Sequence, residues 1–293
     1  MWLILAVIST LFIGVSTILS KIGIKDADAY VTGAVTNTVL LAAFAGTALF
    51  SGTFSQIPQM NMGTWISVIA SGAVLSVSWA FYFLGLKGGS ISVFLAIQSL
   101  TIVISMVLCA VFIKEKITVY MLIGTAMIIG GTLLMMNRQE LSALKSKKLW
   151  QSDQRWILFA GLSAICASIS YVIVKADTAP IDTNVTSTFR YIIVVTMLWV
   201  LLLFRRKSGE FKSIAGKTWI FILLGAAASG GGHVLVYKAL FLGKAAVIMT
   251  IYRMGMVISI ILSRIFLKEK LTKRGWLGFG LLVAGVVLFA VNR

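Results

Sequence analysis

Proline, histidine, cysteine and acid are scarce in this sequence, and each scarcity removes an option. Its 293 residues include two prolines, Pro58 and Pro180. Neither falls inside a long apolar run, so the runs are free of the kinks that proline forces on a helix. One histidine, His233, and two cysteines, Cys109 and Cys166, cannot assemble a zinc site of ordinary ligand spacing. Both cysteines lie in apolar runs and read as small packing residues without a disulfide role. The nine acids lie in polar segments or at the ends of apolar runs, so no buried carboxylate is placed to relay protons. No Gly-x-x-x-x-Gly-Lys phosphate loop occurs, which argues against ATP-driven work by this chain. No cofactor or metal is implied.

What is present is apolar surface. The chain is 59% hydrophobic and 12% charged, with a mean hydropathy of +0.99. A soluble domain is roughly 45–50% apolar and about 25% charged. A water-soluble fold of this length has too little interior for that surplus, so the medium is a bilayer. Ten stretches approach the roughly 20 apolar residues that a spanning helix needs. They are Leu3–Ser20, Val31–Phe50, Trp65–Leu86, Ile91–Ile113 and Ile117–Met136, then Trp156–Val174, Val185–Phe204, Trp219–Leu240, Ala245–Leu267 and Trp276–Val291. The first lacks the basic leader and small-residue cleavage site of a signal peptide and is read as a retained helix. The net charge is +17, from 26 Lys and Arg against 9 Asp and Glu. No basic run is interleaved with aromatics, so nucleic acid is not an expected partner. The cations crowd the loops, where they set orientation and meet anionic lipid.

The chain also repeats itself. Phe112-Ile-Lys-Glu-Lys-Ile-Thr118 returns as Phe266-Leu-Lys-Glu-Lys-Leu-Thr272, and the glutamates, Glu115 and Glu269, stand 154 positions apart. At that same offset Lys21 falls on Lys175, Asp28 on Asp182, Ser105 on Ser259, Gly124 on Gly278 and Gly131 on Gly285. The expected organisation is a first unit over 1–137, a basic linker over 138–155 and a second unit over 156–293. Each unit has five spans, an odd number, so the second enters the membrane upside down, as in many secondary transporters. The expected fold is an all-α integral membrane protein of ten transmembrane helices in two inverted five-helix repeats. Lys and Arg are most numerous in the linker and the loops on its side. The positive-inside rule therefore puts the linker in the cytoplasm and both termini outside.

Candidate functional residues are the polar groups inside apolar runs. Arg190 and Arg253 are costly at membrane depth, which points to a cavity and an anionic group such as a carboxylate or phosphate. Near a helix end, snorkelling to the interface is the competing reading, strongest for Arg190 and Arg264. His233 is read as a helix-contact residue or a proton carrier. Asn37, Trp79, Tyr82, Gln98 and Tyr252 suit a substrate path, against an interface or core role. The offset pairs Trp79 with His233 and Gln98 with Tyr252, so polar or aromatic character recurs at matched depth. Glu115 and Glu269 are expected to cap the helix that follows each of them. Most glycines read as close-packing residues, while the Gly230–Gly232 triplet suggests a locally loosened helix.

These residues resemble the drug/metabolite transporter superfamily in its EamA branch. The resemblance rests on Lys21 and Lys175, on Phe189-Arg-Tyr191, and on the doubled ending Ile113-Lys-Glu115, Thr118, Gly124, Gly130-Gly131 and Leu267-Lys-Glu269, Thr272, Gly278, Gly285. That branch usually has glycine before the glutamate and a proline within the fourth helix of each repeat. Here Lys114 and Lys268 take the first place, and Ile102 and Met256 stand near the second. The resemblance implies a multi-pass carrier in the cell (inner) membrane that exports small metabolites or drugs by alternating access, often against protons. It leaves open a homodimer, a role as a lipid-carrier flippase, and the side of the termini, which relatives usually keep in the cytoplasm.

Overall fold

The computed structural model describes residues 2–145, 153–177, 181–206, 209–242, 248, 251–252 and 254–291, without the side chains of 143–145, 237, 240–242 and 289–291. Helices account for the regular structure, with no strand among the described residues. In chain order the α-helices are α1 (Trp2–Lys25), α2 (Ala29–Phe50), α3 (Met62–Gly88), α4 (Ile91–Leu108), α5 (Val119–Met135), α6 (Arg138–Lys145), α7 (Arg155–Ala176), α8 (Thr183–Phe204), α9 (Glu210–Ser213), α10 (Gly216–Leu242), α11 (Gly255–Phe266) and α12 (Lys273–Val291). A wider π turn, Cys109–Ile113, extends α4. Seven of them, namely α1, α2, α3, α4 with its π turn, α7, α8 and α10, are long and apolar enough to cross a membrane, and α5 and α11 are shorter apolar helices. Their outward faces carry bare apolar side chains such as Phe50, Val111, Phe112, Phe204 and Leu277. In water such a belt would aggregate; in lipid it is solvated.

Helix starts follow local chemistry, and the caps repeat at the sequence offset. Asp28 accepts the Tyr30 amide and Asp182 the Asn184 amide, both at 2.8 Å. Thr118 accepts from the Met121 amide at 3.4 Å and Thr272 from the Gly275 amide at 3.0 Å. Each cap satisfies a backbone donor that the helix leaves open, worth about 1 kcal/mol. Where the first unit meets the linker, Asn137 and Glu140 bond each other's amides reciprocally and start α6.

Packing runs mostly between the two halves: α1 lies on α10, α3 on α7, α2 on α8 and α5 on α12. Small residues make this possible. Ser16 on α1 donates to the Gly225 carbonyl on α10 at 2.8 Å. Their counterparts at the offset do the same, Ser170 on α7 donating to the Ser71 carbonyl on α3 at 2.9 Å. The Gly230–Gly232 triplet does not loosen its helix, because α10 continues through it. These glycines are packing surfaces: a Cβ at Gly232 would stand 2.9 Å from Ile13, and one at Gly231 3.2 Å from Phe12.

Candidate functional site

The two Lys-Glu-Lys turns share one backbone shape. Lys114 and Lys268 sit in the left-handed region at φ 57° and 55°. The Glu115 amide then donates to the Cys109 carbonyl and the Glu269 amide to the Ser263 carbonyl, each at 3.3 Å. This is a helix C-cap with lysine in the place usually held by glycine.

The glutamates do not cap the helices that follow them, because Thr118 and Thr272 already hold those amides. They reach into the other half of the chain. The Glu269 carboxylate accepts the Ile91 amide at 2.7 Å, the Ser92 hydroxyl at 2.9 Å and the Ser92 amide at 3.3 Å, at the positive start of α4. Beside it, the Lys21 ammonium is buried and donates to the carbonyls of Leu86, Lys87 and Gly89, at the negative end of α3. One cation and one anion thus clamp both arms of the α3–α4 turn, and all three ammonium donors are used. Trp156 of α7 lies across Gly88 and Gly89, and Leu86, Ile91 and Phe94 are buried beneath. At the far end of α4 the other pair meets directly, Lys175 to Glu115 at 2.5 Å, with both side chains partly exposed.

Between these ends lies a cavity of about 350 Å³ among α1, α3, α4, α7 and α11. That is near the lower limit for small-molecule sites, roughly 300–1,000 Å³. Trp79, Tyr82, Gln98 and Tyr252 line it, as expected from the sequence. Tyr82 stands edge-on to Trp79 and Phe94 at 5.2 and 5.0 Å between ring centres. Gln98 donates to the Ala160 carbonyl at 3.3 Å. The Trp79 indole N–H is buried without a hydrogen-bond partner, which costs about 1–3 kcal/mol and leaves a donor for a ligand. The rest of the polar lining is hydroxyls that sequence reasoning passed over, among them Thr17, Ser78, Ser99, Thr101, Ser163 and Ser259. Ser105 lines it too. Its counterpart at the offset is Ser259, and that recurrence is the signal that marks them.

The other candidates fall outside this lining. Asn37 is fully buried in α2, its amide donating to the Gly33 carbonyl at 2.9 Å and its carbonyl oxygen without a partner. Arg190 packs its stem beside Gly72 of α3 and lays its guanidinium 5.9 Å from the Tyr191 ring centre. His233 sits behind the wall, its Nε2 3.2 Å from the Tyr252 hydroxyl. Arg264 stacks 5.3 Å over Trp276. Arg253 lies outside the described residues. Among the described residues the lining is uncharged and no group of metal-binding side chains occurs.

Comparison with known proteins adds four findings. The profile of the EamA-like transporter family matches this chain over residues 1–137 and again over 154–291. An "uncharacterized transporter in cobO 3'region" from Sinorhizobium sp. is 30% identical over 139 residues, which is 99% of that protein but 47% of this chain. An uncharacterized protein of Methanocaldococcus jannaschii is 36% identical over 62 residues, 21% of this chain and 45% of its own length. A solved crystal structure superposes with a TM-score of 0.65 over 97% of both chains at 16% identity, a likeness of fold alone.

Proposed function

Because this chain belongs to the EamA-like transporter family, and so is a multi-pass membrane transporter, we propose that it is a ten-helix carrier of two inverted five-helix repeats that works by alternating access. The carrying observation is the exchange of charge between halves. Lys21 of the first half and Glu269 of the second hold the α3–α4 turn at one end of the bundle. Their counterparts at the offset, Lys175 and Glu115, pair at the other end. Equivalent residues at opposite mouths are what an inverted repeat needs to close one mouth while the other opens. In this arrangement the buried Lys21 mouth is closed, and substrate enters from the Lys175 mouth, toward which the cavity extends along Ser105 and Tyr171.

The substrate is a small amphipathic metabolite, gripped by aromatic faces and hydroxyls; an anionic group on it falls to Arg253 to meet. By analogy with relatives the direction is export across the cell membrane. A lipid-carrier flippase is the second reading. It is favoured by a separate apolar recess of about 480 Å³ between α3 and α8, lined by Phe81, Met197 and Phe204, with Arg205 among its lining residues.

The gate is tested with single cysteines in a protein whose Cys109 and Cys166 are replaced by alanine. In Ser99→Cys, Glu269→Gln removes one charge-assisted clamp of about 1.4 kcal/mol. Labelling by an impermeant maleimide from the linker face is expected to rise about tenfold. Unchanged labelling from that face sinks the gate. A thermal-shift screen of soluble metabolites, followed by counterflow in liposomes, then separates carrier from flippase, since a flippase moves none of them.

A further inference from the structure

The recess between α3 and α8 lies apart from the central cavity and takes one wall from each half of the chain. On α3 its lining runs from Ser76 to Leu84, and on α8 from Thr196 to Arg205. At its inner end the two helices touch. The Ser76 hydroxyl donates to the Met197 sulfur at 3.1 Å, and a Cβ at Gly72 would stand 3.0 Å from the Arg190 carbonyl oxygen. Outward from that contact, where α3 carries the small Ala80, the helices leave about 480 Å³ between them. Val77, Val200 and Phe204 on its rim are exposed, so the recess opens to the bilayer. Eight residues of helix rise about 12 Å, close to half of a hydrocarbon core roughly 30 Å thick. The outer end lies at the Lys21 end of the bundle, since Leu84 stands two residues before the Leu86 carbonyl that Lys21 holds.

Cations stand at that outer end. Arg205 follows the last residue of α8, and its guanidinium lies 5.8 Å from the ring centre of Tyr30, which also lines the recess. Arg206 comes next, and both arginines are exposed. No carboxylate among the described residues pairs with either of them. Asp28, two residues before Tyr30, is engaged in capping α2. Arg206 holds left-handed backbone at φ 53°. The repeat offset places Ser51 and Gly52 at these two positions, and Gly52 is left-handed too, at φ 67°. The turn itself therefore suits glycine, and the second half carries an arginine there against that preference.

We propose that this recess is a binding site for one anionic phospholipid of the leaflet at the Lys21 end, with an acyl chain between α3 and α8 and the phosphate on Arg205 and Arg206. The planar guanidinium fork matches phosphate oxygens. Basic pockets between spans recognise lipid head groups, and two cations without a carboxylate favour a head group of net negative charge over a zwitterion. The α3–α8 contact closes the recess at its inner end, so it seats a lipid within one leaflet. That lipid touches both halves, because α3 belongs to the first and α8 to the second. The site needs only a bilayer around the protein and does not rest on alternating access.

The test titrates the full-length protein in detergent with dioleoyl phosphatidylglycerol and, separately, with dioleoyl phosphatidylcholine, and counts bound lipid by native mass spectrometry. The first phosphatidylglycerol is expected to bind several-fold more tightly than the first phosphatidylcholine. Arg205→Ala should weaken it about fivefold, the effect of one cation at a membrane surface. Ala80→Phe fills the recess, leaves both arginines in place and should abolish this first binding event. Arg274→Ala removes an exposed cation at the start of α12 and should leave it unchanged. Equal binding of the two lipids, an equal loss in Arg205→Ala and Arg274→Ala, or full binding by Ala80→Phe overturns the site. If Ala80→Phe does not fold, the two exposed arginines decide. In liposomes carrying head-group-labelled fluorescent phosphatidylglycerol, protein-dependent crossing of the label overturns a resident lipid and gives the recess to the flippase reading. The outcomes are independent of counterflow: a protein that moves no metabolite keeps the lipid site, and a protein without the lipid site keeps the carrier.

Discussion

At the residue scale, the two lysines that replace glycine before Glu115 and Glu269 carry a measurable cost. Lys114 and Lys268 hold left-handed backbone, at φ 57° and 55°, where a side chain crowds the following carbonyl by about 1 kcal/mol relative to glycine. Lys268→Gly is therefore expected to stabilise the protein by about 1 kcal/mol, or roughly 2–4 °C in a thermal scan in detergent. A lower melting temperature would show that the Lys268 side chain holds a contact worth more than the strain. The identity of such residues was legible in the sequence, but their direction was not. The Lys-Glu-Lys turns stood out by repetition, and capping of a helix start was the right chemistry for Glu269. The helix it caps, α4, lies 178 positions back at Ile91, a distance no local rule reports. Asn37 was legible as a polar group in an apolar run, yet it points into protein and not into the cavity. A helix apolar on nearly every side carries no stripe from which to tell its faces apart.

At the scale of elements, seven of the ten expected spans were legible as helices long and apolar enough to cross, because a bilayer demands length and apolarity before anything else. The π turn at Cys109–Ile113 was not, since nothing in that apolar run marks a change of winding. The crossing of α5 and α12 was half legible. Gly124, Gly131, Gly278 and Gly285 were visible as two offset pairs, and the structure seats them crosswise. A Cβ at Gly131 would stand 2.6 Å from the Gly278 carbonyl oxygen, and one at Gly285 2.8 Å from the Gly124 carbonyl oxygen. Backbone cannot give way as a side chain can, so Gly278→Ala, whose Cβ would lie 2.7 Å from the Gly131 oxygen, should destabilise by about 1–3 kcal/mol. Gly280→Ala on the same helix is the control, because nothing lies within 4 Å of its Cβ position. Equal melting temperatures for the two variants would mean that α5 and α12 do not cross here.

For the whole molecule, the proposed inversion of one half against the other accounts for where the two Lys–Glu pairs lie. Lys21 and Glu269 meet the α3–α4 turn at one end of α4, and Lys175 and Glu115 meet at its other end. Those residues are equivalent at the offset and lie at opposite ends of α4, which is the placement the proposed inverted repeat predicts. The proposed ten-span arrangement then predicts that the linker over 138–155 and the C-terminal end face opposite sides of the membrane. Charge and family habit disagree on that side, the loops near the linker being rich in Lys and Arg while relatives usually keep their termini in the cytoplasm. The proposed inversion does not depend on that side. With one epitope tag inserted at 146–150 and another after Arg293, intact cells or sealed spheroplasts should expose one tag to antibody and protect the other. Permeabilisation should then reveal the second. If both tags are reached from the same face before permeabilisation, the halves are parallel, Glu115 and Glu269 cannot guard opposite mouths, and alternating access needs a different gate.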